Sequence, residues 1–238
     1  MSRGRFDVQV AAVQAHLARG LAAGRVRALA LPENAGWPTG RSFVLARDTA
    51  LDLGSPAAGS VGTLIWAPPP LERDPADRVY LEGPDVAELI TRGADPLPFG
   101  QIIVVRGELP DDYEGYLNLK EALYALAPEG VAVRSMPSQS HLWCRLHRDA
   151  VARGFGLAQL GAGIIAGLRR LDFVEQVEVL FHTAGREGLA PLRDIAASAE
   201  RVVGALIKRH EEEHAECDDC EYRDLCDERD SDPRVEAS

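Results

Sequence analysis

The stretch QIIVV at residues 101–105 decides the fold class, because it is the clearest buried strand in the chain. Four of its five residues are apolar and β-branched, and Gly100 and Gly107 bound the run. A strand that is apolar along its whole length is typical of a sheet covered on both faces. The stretch therefore predicts an α/β protein.

Further strands and helices are predicted on both sides of this run. Strand patterns occupy residues 42–46, 61–66, 78–82, 131–134, 141–146 and 174–183. Helical patterns occupy residues 6–23, 112–126, 149–153, 157–170 and 189–213. Because the two types alternate irregularly, we expect a mixed sheet flanked by helices rather than a strict βαβ winding. The last helix is expected to lead into a short tail with a cluster of cysteines.

The composition and the pattern of elements suggest three consecutive regions. The chain has 238 residues, of which 46 % are hydrophobic, so it is long and apolar enough to bury a sizeable core. We expect an N-terminal helix and strands over residues 1–75, an α/β region over residues 76–188, and the C-terminal helix with its tail over residues 189–238.

Charge is distributed unevenly along the chain. The acidic tail, residues 211–238, has 13 acidic and three basic residues and a net charge of −10, whereas the whole chain carries −11. The remaining residues therefore offer no broad cationic surface, and the tail would repel phosphates. Nucleic acid is not expected as a partner.

No membrane or export segment is predicted. No apolar run approaches the ~20 residues that span a bilayer. The N-terminal stretch is interrupted by Gln9, Gln14, His16 and Arg19, which is typical of an amphipathic helix and not of a signal peptide. We therefore expect a cytoplasmic protein.

Three of the four cysteines form what we call the thiol motif: Cys217, Cys220 and Cys226. A C-x2-C pair lets one tight turn present two thiolates to a single ion, and the five-residue gap lets the chain return with a third. Three thiolates suit zinc with a fourth donor, or a cubane 4Fe-4S cluster. His214, which lies one helical turn before Cys217, and Cys144 are the candidates for a fourth ligand.

Electrostatics favours a metal over free thiols in this motif. Eleven carboxylates lie between Glu211 and Asp230. They disfavour a free thiolate, whereas a bound cation would offset their repulsion and deprotonate the thiols. Spacing alone leaves iron–sulfur and zinc open, and the remaining alternative is incidental thiols in a frayed acidic tail.

Other candidate sites have simpler explanations. Ser138-Gln139-Ser140-His141 is interpreted as a polar loop, because no nucleophile elbow accompanies it. The glycines at 154, 156, 161, 163 and 167 do not form a dinucleotide fingerprint, and predict a turn followed by a closely packed helix. His182 is interpreted as a satisfied histidine at a strand end. No catalytic residue is assigned.

Three blocks between residues 79 and 183 resemble a known family. They are VYLEGPDVAEL at 79–89, LPFGQIIVV at 97–105, and LWCRLHRDA at 142–150, which continues through Gly154-Phe155 and Leu160-Gly161 to VEVLFHT at 177–183. Their order and spacing are similar to part of the beta subunit of the CO dehydrogenase/acetyl-CoA synthase complex, before its nickel–iron–sulfur domain. That domain has no counterpart here, so the chain resembles a short, stand-alone relative.

The resemblance implies an iron–sulfur accessory protein or subunit that supports electron transfer or one-carbon/acyl-CoA chemistry. The expected partner is a larger redox or acyl-CoA enzyme subunit, and self-association into a homo-oligomer is also compatible with the sequence. Acetyl-CoA synthesis by this chain alone is not expected. The alternative function is a non-catalytic interaction module with a zinc-stapled tail, and a third option is an enzyme that uses an open position on the cluster.

Overall fold

The structure is a computed structural model that describes residues 4–32, 50–54, 59–69, 76–91, 98–109, 112–124, 131–135 and 142–218. These residues contain eight strands: β1 (Val26–Leu29), β2 (Ala50–Leu53), β3 (Val61–Ala67), β4 (Arg78–Glu82), β5 (Gly100–Gly107), β6 (Val131–Ser135), β7 (Leu142–His147) and β8 (Val174–His182). They also contain six α-helices: α1 (Asp7–Ala22), α2 (Val86–Thr91), α3 (Asp112–Tyr124), α4 (Arg148–Ala152), α5 (Leu157–Leu168) and α6 (Ala190–Asp218).

Five strands form a mixed sheet in the order β1-β4-β8-β5-β3. The pairs β4–β8 and β3–β5 are parallel, whereas β1–β4 and β5–β8 are antiparallel. The central strand is therefore β8, the last to occur in the sequence. This arrangement confirms the predicted mixed sheet flanked by helices.

The buried strands β5 and β8 explain why the sheet is covered on both faces. Every residue of β5 except Arg106 is buried, and so is every residue of β8 except Glu175. Side chains alternate between the two faces of a strand, so continuous burial requires helices on each face.

One face of the sheet is covered by α1. Gln14 of α1 donates a hydrogen bond to Glu178 of β8 at 3.0 Å. The first part of α6 lies on the same face, because a Cβ atom at Gly100 would come within 2.8 Å of Leu192 Cδ2 and 2.9 Å of His182 Cβ. Gln9 joins the two helices through Ser198 Oγ at 2.8 Å.

The opposite face is covered by α5. A Cβ atom at Gly161 would lie 2.5 Å from Val79 Cγ2, so the glycine allows the helix to approach β4 closely. Val79 alternates with Tyr80 and Glu82, whose side chains point to the α1 face. The predicted small-residue packing face over residues 157–170 is thereby confirmed.

Aromatic side chains extend the core beyond the sheet. The ring centroids of Phe6 and Trp66 are 4.4 Å apart, and those of Trp66 and Tyr116 are 5.6 Å apart. Trp66 therefore links the segment before α1 to helix α3. A second, antiparallel sheet has the order β2-β7-β6.

The chain divides into two compact units, Met1–Val202 and Val203–Ser238, with the boundary inside α6. We call the described residues of the first unit the body. In the second unit the described residues continue α6 and include the ion pairs Lys208–Glu212 and Arg209–Glu213. None of the described helices combines the length and the apolar character needed to cross a bilayer.

Most predicted elements agree with the structure within a few residues, and three elements were not predicted. Strands β1 and β2 and helix α2 have only four, four and six residues, and such short elements carry little periodicity. The strand predicted at residues 42–46 lies outside the described residues. The proposed three-region division remains a prediction.

Candidate functional site

A buried cluster of titratable side chains lies where the parallel strands β4 and β8 end. Glu82 is the last residue of β4 and is paired in register with His182, the last residue of β8. Glu82 Oε2 is 2.9 Å from His16 Nε2 and 3.2 Å from His182 Nδ1. We call these three residues the Glu82 cluster.

Each member of the Glu82 cluster comes from a different element, and the local sequence explains its position. His16 lies on the buried side of α1 together with Val13 and Leu17, at the spacing of one helix face. Parallel pairing brings the carboxyl ends of β4 and β8 to the same edge of the sheet. One carboxylate oxygen thus contacts two imidazole rings from separate parts of the chain.

The cluster is enclosed by protein. His182 is 0 % exposed, and Glu82 and His16 are each 6 % exposed. Gly188 lies so close to the His182 ring that a Cβ atom there would overlap it. With so little access to solvent, the cluster does not present an open surface to a substrate.

The two partners of His182 determine which form of the ring would satisfy both contacts. Its Nε2 atom lies 3.0 Å from the carbonyl oxygen of Gly185, and its Nδ1 atom faces Glu82 Oε2. A carbonyl oxygen and an ionised carboxylate can only accept hydrogen bonds. Both contacts are therefore hydrogen bonds only when both ring nitrogens carry a proton, which makes the ring an imidazolium.

The carboxyl group of Glu82 is held in its ionised form. Burial raises its pKa, but hydrogen bonds from His182 and His16 and the charges of those rings lower it, so the pKa lies below the ordinary value of 4.5. Arg25 approaches the other oxygen, Oε1, at 3.4 Å from the more exposed side.

The loop that follows Glu82 holds the strand ends together. Gly83 has a φ of +117°, and a Cβ atom there would lie 2.6 Å from the backbone nitrogen of Ala184. Thr183 donates its hydroxyl to the carbonyl oxygen of Pro84 at 2.6 Å. Asp85 Oδ1 then accepts hydrogen bonds from the backbone N–H groups of Val86 at 2.6 Å and Leu157 at 3.0 Å. One carboxylate therefore serves the N-terminal ends of both α2 and α5.

The residues of the thiol motif are only partly within the described part of the chain. Cys217 and His214 belong to the last turns of α6, and Cys220 and Cys226 lie outside the described residues. Cys144 lies on β7 in register with Leu53 of β2 and Val133 of β6. The predicted ligand set thus remains a prediction.

The other sequence interpretations have separate outcomes. His182 is a satisfied histidine at a strand end, as predicted, because both of its ring nitrogens have partners. The loop containing Ser138 and His141 lies outside the described residues. Within the described ranges, no group of three His, Cys, Asp or Glu side chains has an arrangement suited to a metal ion. The Glu82 cluster has hydrogen bonds between its members.

Sequence reasoning missed Glu82 and His16. The available signals were an acidic residue at the end of an apolar strand and a histidine on the apolar face of an amphipathic helix. Each signal is weak alone, because strand ends and helix faces often carry single polar residues. Glu82 and His182 are brought together only by the register between β4 and β8.

Fold and site together define an α/β protein with a mixed sheet and a buried acid–histidine cluster at the ends of its parallel pair. Residues 71–187 match the model of the family described as the CO dehydrogenase/acetyl-CoA synthase complex beta subunit. The match confirms the resemblance, and this region of the chain is related to that beta subunit. No significant match to a curated protein was found.

The matched region includes part of the Glu82 cluster only. Glu82 and His182 lie within residues 71–187, whereas His16 and the thiol motif lie outside them. The N-terminal helix and the tail therefore lie outside the matched region.

Proposed function

We propose that the chain is an iron–sulfur accessory subunit, related to the CO dehydrogenase/acetyl-CoA synthase beta subunit, whose thiol motif holds the cluster. It would support electron transfer or one-carbon/acyl-CoA chemistry beside a larger catalytic subunit. The observation that carries the proposal is that a region related to a subunit of that complex is followed along the chain by α6, in whose last turn the motif starts.

The residues present fit such a group chemically. Cys217, Cys220 and Cys226 supply three thiolates, the ligands that iron–sulfur clusters use. The C-x2-C spacing lets one tight turn present two thiols to a single ion. The surrounding carboxylates disfavour free thiolates, and a bound cation would offset their repulsion. When bound, the cluster would supply one-electron chemistry.

A second candidate is an interaction module whose tail is stapled by zinc. His214 and Cys217 lie three residues apart in the sequence, about one helical turn. Together with Cys220 and Cys226 they complete a Cys3His set, which is typical of structural zinc. In this alternative the metal orders the tail, since structural zinc contributes about 10–16 kcal/mol in small domains.

The test is the metal content of full-length protein purified without oxygen. We expect iron and acid-labile sulfide in stoichiometric amounts, with the broad visible absorption of a thiolate-bound cluster. Cys220→Ser should abolish both, whereas Cys144→Ser should retain both unless Cys144 is the fourth ligand. Stoichiometric zinc without iron would select the second candidate, and protein with neither metal would refute the proposal.

The fourth ligand is tested with His214→Gln. For a zinc site, this variant should weaken zinc binding about 10- to 100-fold, as expected when a metal site loses a supporting group. For a cluster held by three thiolates, the iron content should not change. Loss of the metal in Cys144→Ser instead would assign the fourth position to that thiol.

A further inference from the structure

The Glu82 cluster joins parts of the chain that the family match does not join. His16 lies in α1, outside residues 71–187, and contacts an acidic residue 66 positions later. His182 comes from the end of β8, and its other nitrogen holds the turn at Gly185 that precedes α6. Helix α1 and the turn that precedes α6 are thus linked to one carboxylate.

We propose that His16, Glu82 and His182 form a proton-operated latch that fastens α1 and the turn after β8 to the sheet. The latch is closed while His182 is an imidazolium and Glu82 is a carboxylate. It loosens when either group changes its charge. The proposal concerns the body alone and is independent of any ion in the tail.

Loss of a proton opens the latch on the alkaline side. A neutral His182 ring has one N–H group for two acceptors, Glu82 Oε2 and the carbonyl oxygen of Gly185. One of these buried contacts must then be broken, and Glu82 loses the positive charge of the His182 ring, while Arg25 still contacts its other oxygen. Imidazole is the side chain that changes charge near neutral pH, so a proton can act as the signal.

Gain of a proton opens the latch on the acid side. A protonated Glu82 carries no charge, so the imidazolium of His182 remains buried without a counter-ion. Because its pKa lies below 4.5, Glu82 stays ionised to lower pH than an ordinary glutamate. The latch is therefore closed in an intermediate pH window.

The charged groups other than histidine around the cluster are arginines and carboxylates. The histidines therefore act as its switch. Arg25 contacts Glu82 Oε1, and Arg27 donates to the carbonyl oxygen of Gly83. Arginine remains protonated throughout this range. The remaining charges described nearby are Glu178, which faces α1 and accepts from Gln14, and Arg186 and Glu187 in the turn after β8.

The test is hydrogen exchange of the full-length protein between about pH 5 and about pH 9, the range in which imidazole titrates. Protection factors are compared, because they remove the intrinsic effect of pH on exchange. We expect the amides of α1 and of residues 183–189 to lose about 10- to 100-fold protection together at the alkaline end, the worth of one charged hydrogen bond.

Two carboxylate-to-amide variants separate the latch from general effects of charge. Glu82→Gln should show low protection of α1 at every pH and no transition. Glu178→Gln is the matched control, because it removes a buried carboxylate that also contacts α1, and it should keep the transition. Native protein without a transition, or a transition that persists in Glu82→Gln, would overturn the proposal.

If Glu82→Gln does not fold, a milder variant and a spectroscopic measurement still test the proposal. His16→Gln should reduce the transition in α1 and leave it in residues 183–189. Nitrogen-15 spectra should show protons on both ring nitrogens of His182 wherever α1 is protected, and on one nitrogen only where that protection is lost. A singly protonated His182 while α1 is protected, or an unchanged α1 transition in His16→Gln, would refute the latch.

Discussion

The molecule has two groups of reactive side chains that arise in opposite ways. The thiol motif places three cysteines within ten residues of sequence, so a single short segment carries all of them. The members of the Glu82 cluster are separated by 66 and 100 positions, and they meet only because β4 and β8 pair in register and α1 packs on the sheet. A local cluster can form wherever its segment folds, whereas a long-range cluster requires the complete sheet.

The greatest loss of stability is expected for Phe181→Ala, in the centre of the sheet. Phe181 is fully buried on β8, and its ring lies 5.6 Å from that of Phe99. We expect the free energy of unfolding, measured with urea, to fall by about 3–5 kcal/mol. Val8→Ala, at a side chain that is 75 % exposed, is the control and should change it by less than about 0.5 kcal/mol.

The same variant tests whether the two groups are independent, because the thiol motif should not depend on β8. We expect the metal content per folded chain to be equal in Phe181→Ala and the native protein. Loss of metal from a variant that is still folded would show that the two groups are not independent.

The next effect is the acid sensitivity that Glu82 confers. Its pKa is lowered in the folded protein, so between that value and 4.5 the unfolded chain binds more protons than the folded one. The stability that comes from this lowered pKa is therefore present above pH 4.5, until the latch opens at alkaline pH, and is lost as the pH falls through the folded pKa. Unfolding free energies measured at a series of acidic pH values should fall less steeply in Glu82→Gln. Equal slopes would contradict this prediction.

A smaller effect is expected at Asp85, which orders the helices beside the cluster. Asp85→Ala leaves the N–H groups of Val86 and Leu157 without their acceptor, and should lower the free energy of unfolding by about 1–2 kcal/mol. Asp85→Asn keeps an acceptor oxygen and should cost less. If the two variants were equally unstable in urea, the charge of Asp85 would matter more than its hydrogen bonds.

The smallest effect is expected in the second unit, at Glu212. It forms an ion pair with Lys208 at 3.5 Å, and both side chains are more than half exposed. Glu212→Gln should lower helix stability, measured by thermal unfolding, by about 0.3–0.5 kcal/mol, because water screens the pair. The difference should shrink in high salt, and a loss above about 1 kcal/mol would show that this part of α6 is more than a solvated helix.

The sequence predicted the elements with strong periodicity and missed what depends on register. QIIVV is apolar along its length, and it became β5, one of the inner strands. The strand 78–82 was predicted to the residue, yet nothing local in it indicates that Glu82 would meet His16. Short elements such as β2 were not predicted, because four residues cannot establish a periodic pattern.

The position of β8 has a consequence for how the protein is made. The strand fills the middle of the sheet but is the last to leave the ribosome, and 75 residues separate its end at His182 from the end of β5 at Gly107. At ~5–20 residues/s, the earlier pairs β1–β4 and β3–β5 wait about 4 to 15 s for it. During that interval each pair exposes an unpaired edge that invites association between nascent chains. Translation rate and chaperone access over this stretch should therefore decide the yield of folded protein.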